Sequence, residues 1–347
     1  MKQGSKRDAE RFALWQYLAF GAALLIVLVA CVCIGSVGIS PDKTLETVFH
    51  AMLRRPQTDA LAASIILDVR MPRVLCVSLC GAALSLCGAA MQGLLKNPLA
   101  DGSTMGVSSG AALGAVIAIA FGISFPALPF AGTTVMAILF AFLSLLTILG
   151  LAYKLDYSLS TNTIILLGVI YSMFASSLMS IVITFAADRV KHITFWTMGS
   201  LQGAGWENVL VMGGALLIGG AVLLRYAREL NAFAVGEDNA RHIGVNVRRT
   251  KLVVLVAVSA LIGVCVSIGG VIGFVGLVIP HMARMLVGPN HRRLLPASLL
   301  IGGTFLPLAD LVARTLLNPL ELPIGVVTSL VGAVAFVFIF YRSKGGR

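Results

Sequence analysis

Asp310 and Arg314 stand four residues apart in an apolar stretch late in the chain, a spacing that puts both on one face of a helix and lets them pair. A carboxylate at membrane depth is functional by default, and proton relay is the chemistry it would serve. A relay needs further acids at depth, however, and Asp310 stands nearly alone. Arg70 and Arg73 enclose Met71-Pro72 where another apolar run begins. The proline suits a helix's first turn, whereas two cations at a helix start oppose its dipole. Together with Arg314 they form a cationic patch of the kind that steers an acidic partner or ligand. Gly106-Val107-Ser108-Ser109-Gly110 fits the G-x-S-x-G pattern of a serine nucleophile. That pattern acts only on a strand-to-helix turn with an acid and a histidine following, and here it lies in a glycine-spaced apolar run. No lysine follows a glycine, so the Gly-Lys pair of a phosphate-binding loop is missing. If ATP drives this protein, another chain binds it. The five histidines are scattered without metal-ligand spacing, and His281 after Pro280 reads as a packing residue. The six cysteines, at 31, 33, 76, 80, 87 and 265, all sit in apolar segments and read as small hydrophobes. No acid, base and nucleophile set emerges, so the chain reads as a non-enzyme that holds no metal or cofactor itself.

The elements that must position these residues follow from composition. Of 347 residues, 58% are hydrophobic and 12% charged, where soluble domains carry roughly 25% charged residues. Too few charges remain to cover a water-facing surface, which excludes a soluble enzyme, a disordered tail and a nucleic-acid binder despite the net charge of +11. A spanning helix takes about 20 apolar residues. The apolar runs predict an all-α polytopic membrane protein, a single transmembrane domain over 1–347 with about ten spans: 12–37, 70–94, 103–122, 131–152, 161–186, 207–227, 251–270, 272–289, 294–315 and 321–341. The first run is too long for a signal-peptide core, and the lipoprotein-like Leu-Val-Ala-Cys at 28–31 is read as part of an uncleaved first helix. With Lys2, Lys6, Arg7 and Arg11 ahead of that run, both termini are expected inside the plasma (inner) membrane, in contact with its lipid. Eighteen of the 26 Lys and Arg then fall inside, leaving Lys43, Arg54, Arg55, Arg70, Arg73, Arg189, Lys191 and Arg314 outside, which obeys the positive-inside rule.

Two connections exceed a turn. Segment 38–69 is a polar external loop, and 228–250 is an internal one mixing charge with the apolar set Ala234, Val235, Ala240 and Ile243. The latter is expected to form one or two short helices closed at Gly236 and Gly244, a candidate partner surface. Gly102, Gly106, Gly110 and Gly114 are expected to ladder one face of the third span, where small residues let helices approach. Asn97-Pro98 and Pro280-His281 interrupt spans in matching places of two halves, a pointer to inverted repeats.

Several motifs, in order along Arg70 to Tyr341, resemble the permease subunits of type II ABC importers for iron–siderophores, haem and vitamin B12. They are Arg70-Met71-Pro72-Arg73, Gly81-Ala82-Ala83-Leu84 to Met91-Gln92, Asn97-Pro98-Leu99-Ala100, Gly106 to Ala111, Gly273 to His281, Asp310 to Arg314 and Glu321 to Thr328. The resemblance implies a ten-helix permease working as a pair, with a second copy or a paralogue. Two separate ATPase subunits carrying ATP and Mg would sit inside, and a substrate-binding protein outside. It implies that Arg70, Arg73 and Arg314 receive acidic residues on the binding protein's lobes. The family's coupling motif is matched by Val235 to Gly244, which places ATPase coupling on Gly236, Glu237, Asp238, Ala240, Arg241 and Gly244. The fifth and tenth spans are expected to line the pathway, with Met173, Ser176, Ser177 and Ser180 suited to it. The expected cargo is an iron chelate, a ferric siderophore before haem or cobalamin; the alternative is a proton-coupled secondary transporter using Asp310.

Overall fold

The computed structural model describes residues 14–102, 104–124, 131–156 and 160–344. Lys2, Lys6, Arg7 and Arg11, which carry the expected inside position of the first end, lie outside these described residues, as does Arg347. In lipid each backbone polar group must be satisfied within the chain, so long apolar runs become helices. In order they are α1 (Leu14–Cys33), α2 (Pro41–Met52), α3 (Ala60–Leu94), α4 (Val107–Phe121), α5 (Ala131–Leu155), α6 (Thr161–Phe185), α7 (Val190–Thr197), α8 (Trp206–Arg225), α9 (Ala227–Val235), α10 (Glu237–His242), α11 (Val247–Gly269), α12 (Val275–Val287), α13 (His291–Thr315) and α14 (Ile324–Lys344). Seven of them (α1, α3, α5, α6, α8, α11 and α13) are long and apolar enough to cross a membrane, and α4, α12 and the Ile324–Phe338 part of α14 are shorter apolar helices. These ten take the places of the ten expected spans; the fifth is α6 and the tenth α14.

The central helix is α3, buried along most of its length between α8, α11, α12 and α13. Small residues allow this: a Cβ on Gly88 would lie 1.8 Å from the Gly276 carbonyl of α12. Hydroxyls add polar ties, with Ser85 Oγ donating to Ser298 O at 2.7 Å and Ser78 Oγ to Gly303 O at 2.9 Å on α13. By contrast α1 buries only Cys31 and turns its apolar face outward, as a lipid-facing helix does.

The third and eighth spans are shorter than the sequence predicts, and their geometry replaces the expected matching interruptions. At 1.5 Å per residue, α4 and α12 reach about 20 Å, short of a hydrocarbon core of about 30 Å. Each starts from a left-handed residue, Gly106 (φ 70°) and Phe274 (φ 67°). Four spans (α5, α6, α8 and α11) lie between them, an even number, so α4 and α12 cross in opposite directions. Asn97-Pro98 does not interrupt a span; it lies in the connection after α3, whereas Pro280 lies within α12. Irregular backbone at this depth is tolerated only where protein or a cavity covers it. Here Thr104 O would meet a Cβ on Gly168 at 2.2 Å, about two turns into α6. Asp101, Thr104, Val271 and Phe274 line one cavity of about 290 Å³. The glycine ladder is correspondingly cut: Gly102 and Gly106 precede α4, and only Gly110 and Gly114 lie on it, against α5.

The 38–69 connection is largely helical. Asp59 caps α3 by accepting from Leu61 N at 3.0 Å and Ala62 N at 3.1 Å, and Lys43 of α2 pairs with it. The Lys43 ammonium, with those backbone donors, holds the Asp59 carboxyl below the usual carboxylate range. The second span thus begins at Ala60, ten residues ahead of the predicted start, with a π turn at Ile65–Arg70.

Candidate functional site

One end of the bundle carries the α8–α11 connection, the basic end of the sequence reading. Ala227, Leu230, Ala232 and Phe233 bury one face of α9. Gly236 ends it at φ 135°, a backbone angle L side chains rarely adopt. Acids open α10 (Glu237, Asp238) and bases close it (Arg241, His242), which complements its dipole. Ala240 is buried beneath α10, Gly244 turns away at φ 86°, and Val235 and Ile243 are each 71% exposed. Two bare apolar side chains flanking a charged turn are anchors suited to a partner protein.

Both helices are tied into the bundle, at different places. Asn231 of α9 accepts from the His291 backbone N–H at 2.8 Å, lies 2.9 Å from its Nδ1, and donates to Asn290 Oδ1 at 2.8 Å. Asn290 in turn caps α13 by accepting from Arg292 N at 3.0 Å. Glu237 of α10 points inward. Lys251 Nζ donates to it at 2.8 Å from a fully buried side chain on α11, and Thr161 Oγ1, on the first residue of α6, donates at 3.0 Å. Thus α10 is tied to α11 and the start of α6, and α9 to α13. Gln92 ties the ends of α3 and α12, accepting from Arg284 at 2.9 Å and donating to Leu277 O at 3.1 Å. Asn231, Thr161 and Lys251 were not singled out from sequence, and Gln92 only as the end of a family motif; Lys251 follows Arg248-Arg249 and reads there as one more inside charge.

At the opposite end the structure gathers Arg70, Arg73 and Arg314, as expected, but as an inward network and not an open cationic patch. Arg70 is 5% exposed and caps α1, donating to the carbonyls of Val32 and Cys33 at 3.2 Å and to that of Val37. Arg314 also donates to α1, at Cys31 O. Guanidiniums at the carboxyl end of a helix complement its dipole, so Arg70 and Arg314 both suit the end of α1; with α3 beginning at Ala60, neither Arg70 nor Arg73 stands at a helix start. Arg73 pairs with Asp310 at 2.9 Å and Glu321 at 2.9 Å, and Arg314 Nε lies 3.5 Å from Asp310. Asp310, 1% exposed between two guanidiniums, is held as an ion pair and has no acidic chain leading away from it among the described residues. Nor could any group of three or more His, Cys, Asp or Glu side chains among the described residues hold a metal ion.

Met173, Ser176, Ser177 and Ser180 share the open side of α6, which buries only Ile164, Leu167, Gly168 and Ala175. Ser177 and Ser180 donate to the carbonyls four residues back, at 3.0 and 3.1 Å. That leaves a face with a thioether and three hydroxyls, two of them satisfied within the helix, and no fixed charge.

The pattern of the FecCD transport family matches residues 23–342. The ABC transporter permease protein YvrB of Bacillus subtilis is 44% identical over 332 residues, 95% of this chain and 93% of the relative. The cobalamin import system permease of Halobacterium salinarum is 39% identical over 299 residues, 86% of this chain and 78% of the relative. A solved metal-chelate type ABC transporter in an inward-facing conformation superposes with a TM-score of 0.83 at 34% identity, covering 94% of this chain and 98% of that one. With its helices, motifs and relatives agreeing over most of its length, this multi-pass membrane protein belongs to the FecCD transport family.

Proposed function

We propose that the chain is the transmembrane half of an ATP-driven importer that carries a metal chelate inward across the plasma membrane, a ferric siderophore before haem or cobalamin. The observation that carries this reading is the α9–Gly236–α10 pair, which presents Val235 and Ile243 outward and ties Glu237 back to α6 and α11. This is the form of a lever for two external ATPase subunits at a cytoplasmic basic end. The exposed apolar faces of α6 and α14, including Phe174, Leu330 and Val334, suit pairing with a second permease chain around a shared pathway. A pathway lined by Met173, Ser176, Ser177 and Ser180 has little affinity for a bulky chelate, so it releases what it admits and ATP supplies direction. Vesicles containing this chain, its ATPase and its binding protein should accumulate labelled ferric siderophore with ATP and keep doing so when the proton gradient is collapsed. Uptake that follows the proton gradient without ATP would overturn the reading in favour of secondary transport.

The binding protein docks, in this reading, at the end holding Arg70, Arg73 and Arg314. Glu321, whose side chain is 21% exposed, is the accessible partner of Arg73, so an incoming carboxylate competes with it. Glu321→Gln should then tighten docking about two- to fivefold, the scale of a partly exposed ion pair, and Arg73→Gln should weaken it. Surface-immobilised binding protein reads both; equal affinity for wild type and the two variants removes the arginines from the docking site.

A further inference from the structure

A groove of about 920 Å³ opens at the basic end between α1, α8, α9 and α13, and nothing in the transport reading uses it. Its rim is set by Arg225, Arg228 and Arg292, and its inner wall by Pro296, Leu299 and Leu300. No carboxylate lines it among the described residues; the nearby Glu229 stands 3.8 Å from Arg225. Leu300 lies nine residues into α13, so the wall descends about 14 Å along the helix axis. Half of a hydrocarbon core is about 15 Å. The groove is cationic where headgroups lie and apolar for the depth of one leaflet.

We infer that this groove is a binding site for an anionic phospholipid of the leaflet at the basic end, its phosphate among the three guanidiniums and one acyl chain along Pro296, Leu299 and Leu300. Basic pockets between helices on the cytoplasmic side are where acidic headgroups bind. Arginine's planar fork suits a phosphate diester. A soluble phosphate compound has no use for the apolar wall, and a zwitterionic lipid gains less from the rim. Because Arg228 belongs to α9, the bound lipid holds one end of the lever against the membrane surface.

Native mass spectrometry of the full-length chain in detergent, titrated with phosphatidylglycerol, tests this. Wild type should retain phosphatidylglycerol at least tenfold more strongly than phosphatidylcholine, with millimolar inorganic phosphate unable to displace it. Arg225→Gln, Arg228→Gln and Arg292→Gln combined should lower that retention about tenfold, and Leu300→Trp, which fills the wall and leaves the charges, should lower it too. Monodisperse elution of both variants confirms folding. Equal retention of the two lipids, displacement by phosphate, unchanged retention in the triple variant, or crosslinking that places the chain's own residues 1–13 in the groove overturns the inference.

Discussion

Asp310→Ala is expected to lower stability by about 3–5 kcal/mol, the usual consequence of stranding buried charge by deleting its partner. Asp310 is 1% exposed, accepts from Arg73 at 2.9 Å and lies 3.5 Å from Arg314. Without it, Arg73 keeps Glu321 and Arg314 keeps Cys31 O, but two guanidiniums face each other in the interior. The thermal midpoint, followed by size-exclusion fluorescence, should fall sharply. Asp310→Asn keeps the shape and one acceptor, so it should fall less, by about 1.5–3 kcal/mol for a hydrogen bond to a charged group. Pairing Asp310→Asn with Arg314→Met removes charge from both sides and should recover part of the loss. Function separates the two transport readings. A proton carrier would lose uptake in Asp310→Asn while remaining folded; an ATP-driven permease retains ATP-dependent uptake in proportion to the protein that folds. Abolished uptake in a well-folded Asp310→Asn would return Asp310 to the centre of the mechanism.

What could be read from the sequence was what lipid forces on it. The ten apolar runs had to become ten helices, because in lipid only helices and closed barrels satisfy their own hydrogen bonds, and these runs are too long and too continuously apolar for barrel strands of about ten alternating residues. Their ends were less legible. Residues 270–274, Gly-Val-Ile-Gly-Phe, are as apolar as the helices they adjoin, and periodicity cannot tell a short helix from buried loop. The start of α3 carried its signal in Asp59, an acid directly before an apolar run. Asp68 and Arg70 obscured it by looking like a boundary, although Asp68 accepts from Ser64 at 3.1 Å and Arg70 folds onto α1. The α9–α10 segment was legible because Gly236 and Gly244 punctuate it. The direction of its acid was not, since nothing local marks Glu237 as facing inward toward Lys251. The arginines show the same limit. Their positions could be read, but three of their partners are carbonyls of α1, and a carbonyl has no sequence signature.

Replacing Glu237 should separate stability from coupling. Lys251 is fully buried, and Glu237→Ala removes the carboxylate 2.8 Å from its ammonium, at about 3–5 kcal/mol. In Glu237→Ala with Lys251→Met both charges are gone and a flexible apolar chain fills the space, an exchange that is often neutral or stabilising. That double variant should therefore fold and assemble with the ATPase, yet still lack the link to Thr161. Thr161→Val isolates the link further, deleting one 3.0 Å hydrogen bond at the start of α6 and leaving the ion pair intact. If ATPase closure moves α10 and Glu237 carries that movement to α6, both variants hydrolyse ATP at near wild-type rates but import fewer chelates per ATP. The ratio, measured in vesicles with labelled substrate, should fall severalfold in the double variant and less in Thr161→Val, since α11 still receives part of the push. A ratio equal to wild type in both would make Glu237 a plain structural ion pair. A proportional fall in hydrolysis and import would mean lost assembly. The first outcome sinks the lever and leaves the permease reading standing; only wild-type complexes that fail to couple uptake to ATP would bring down both.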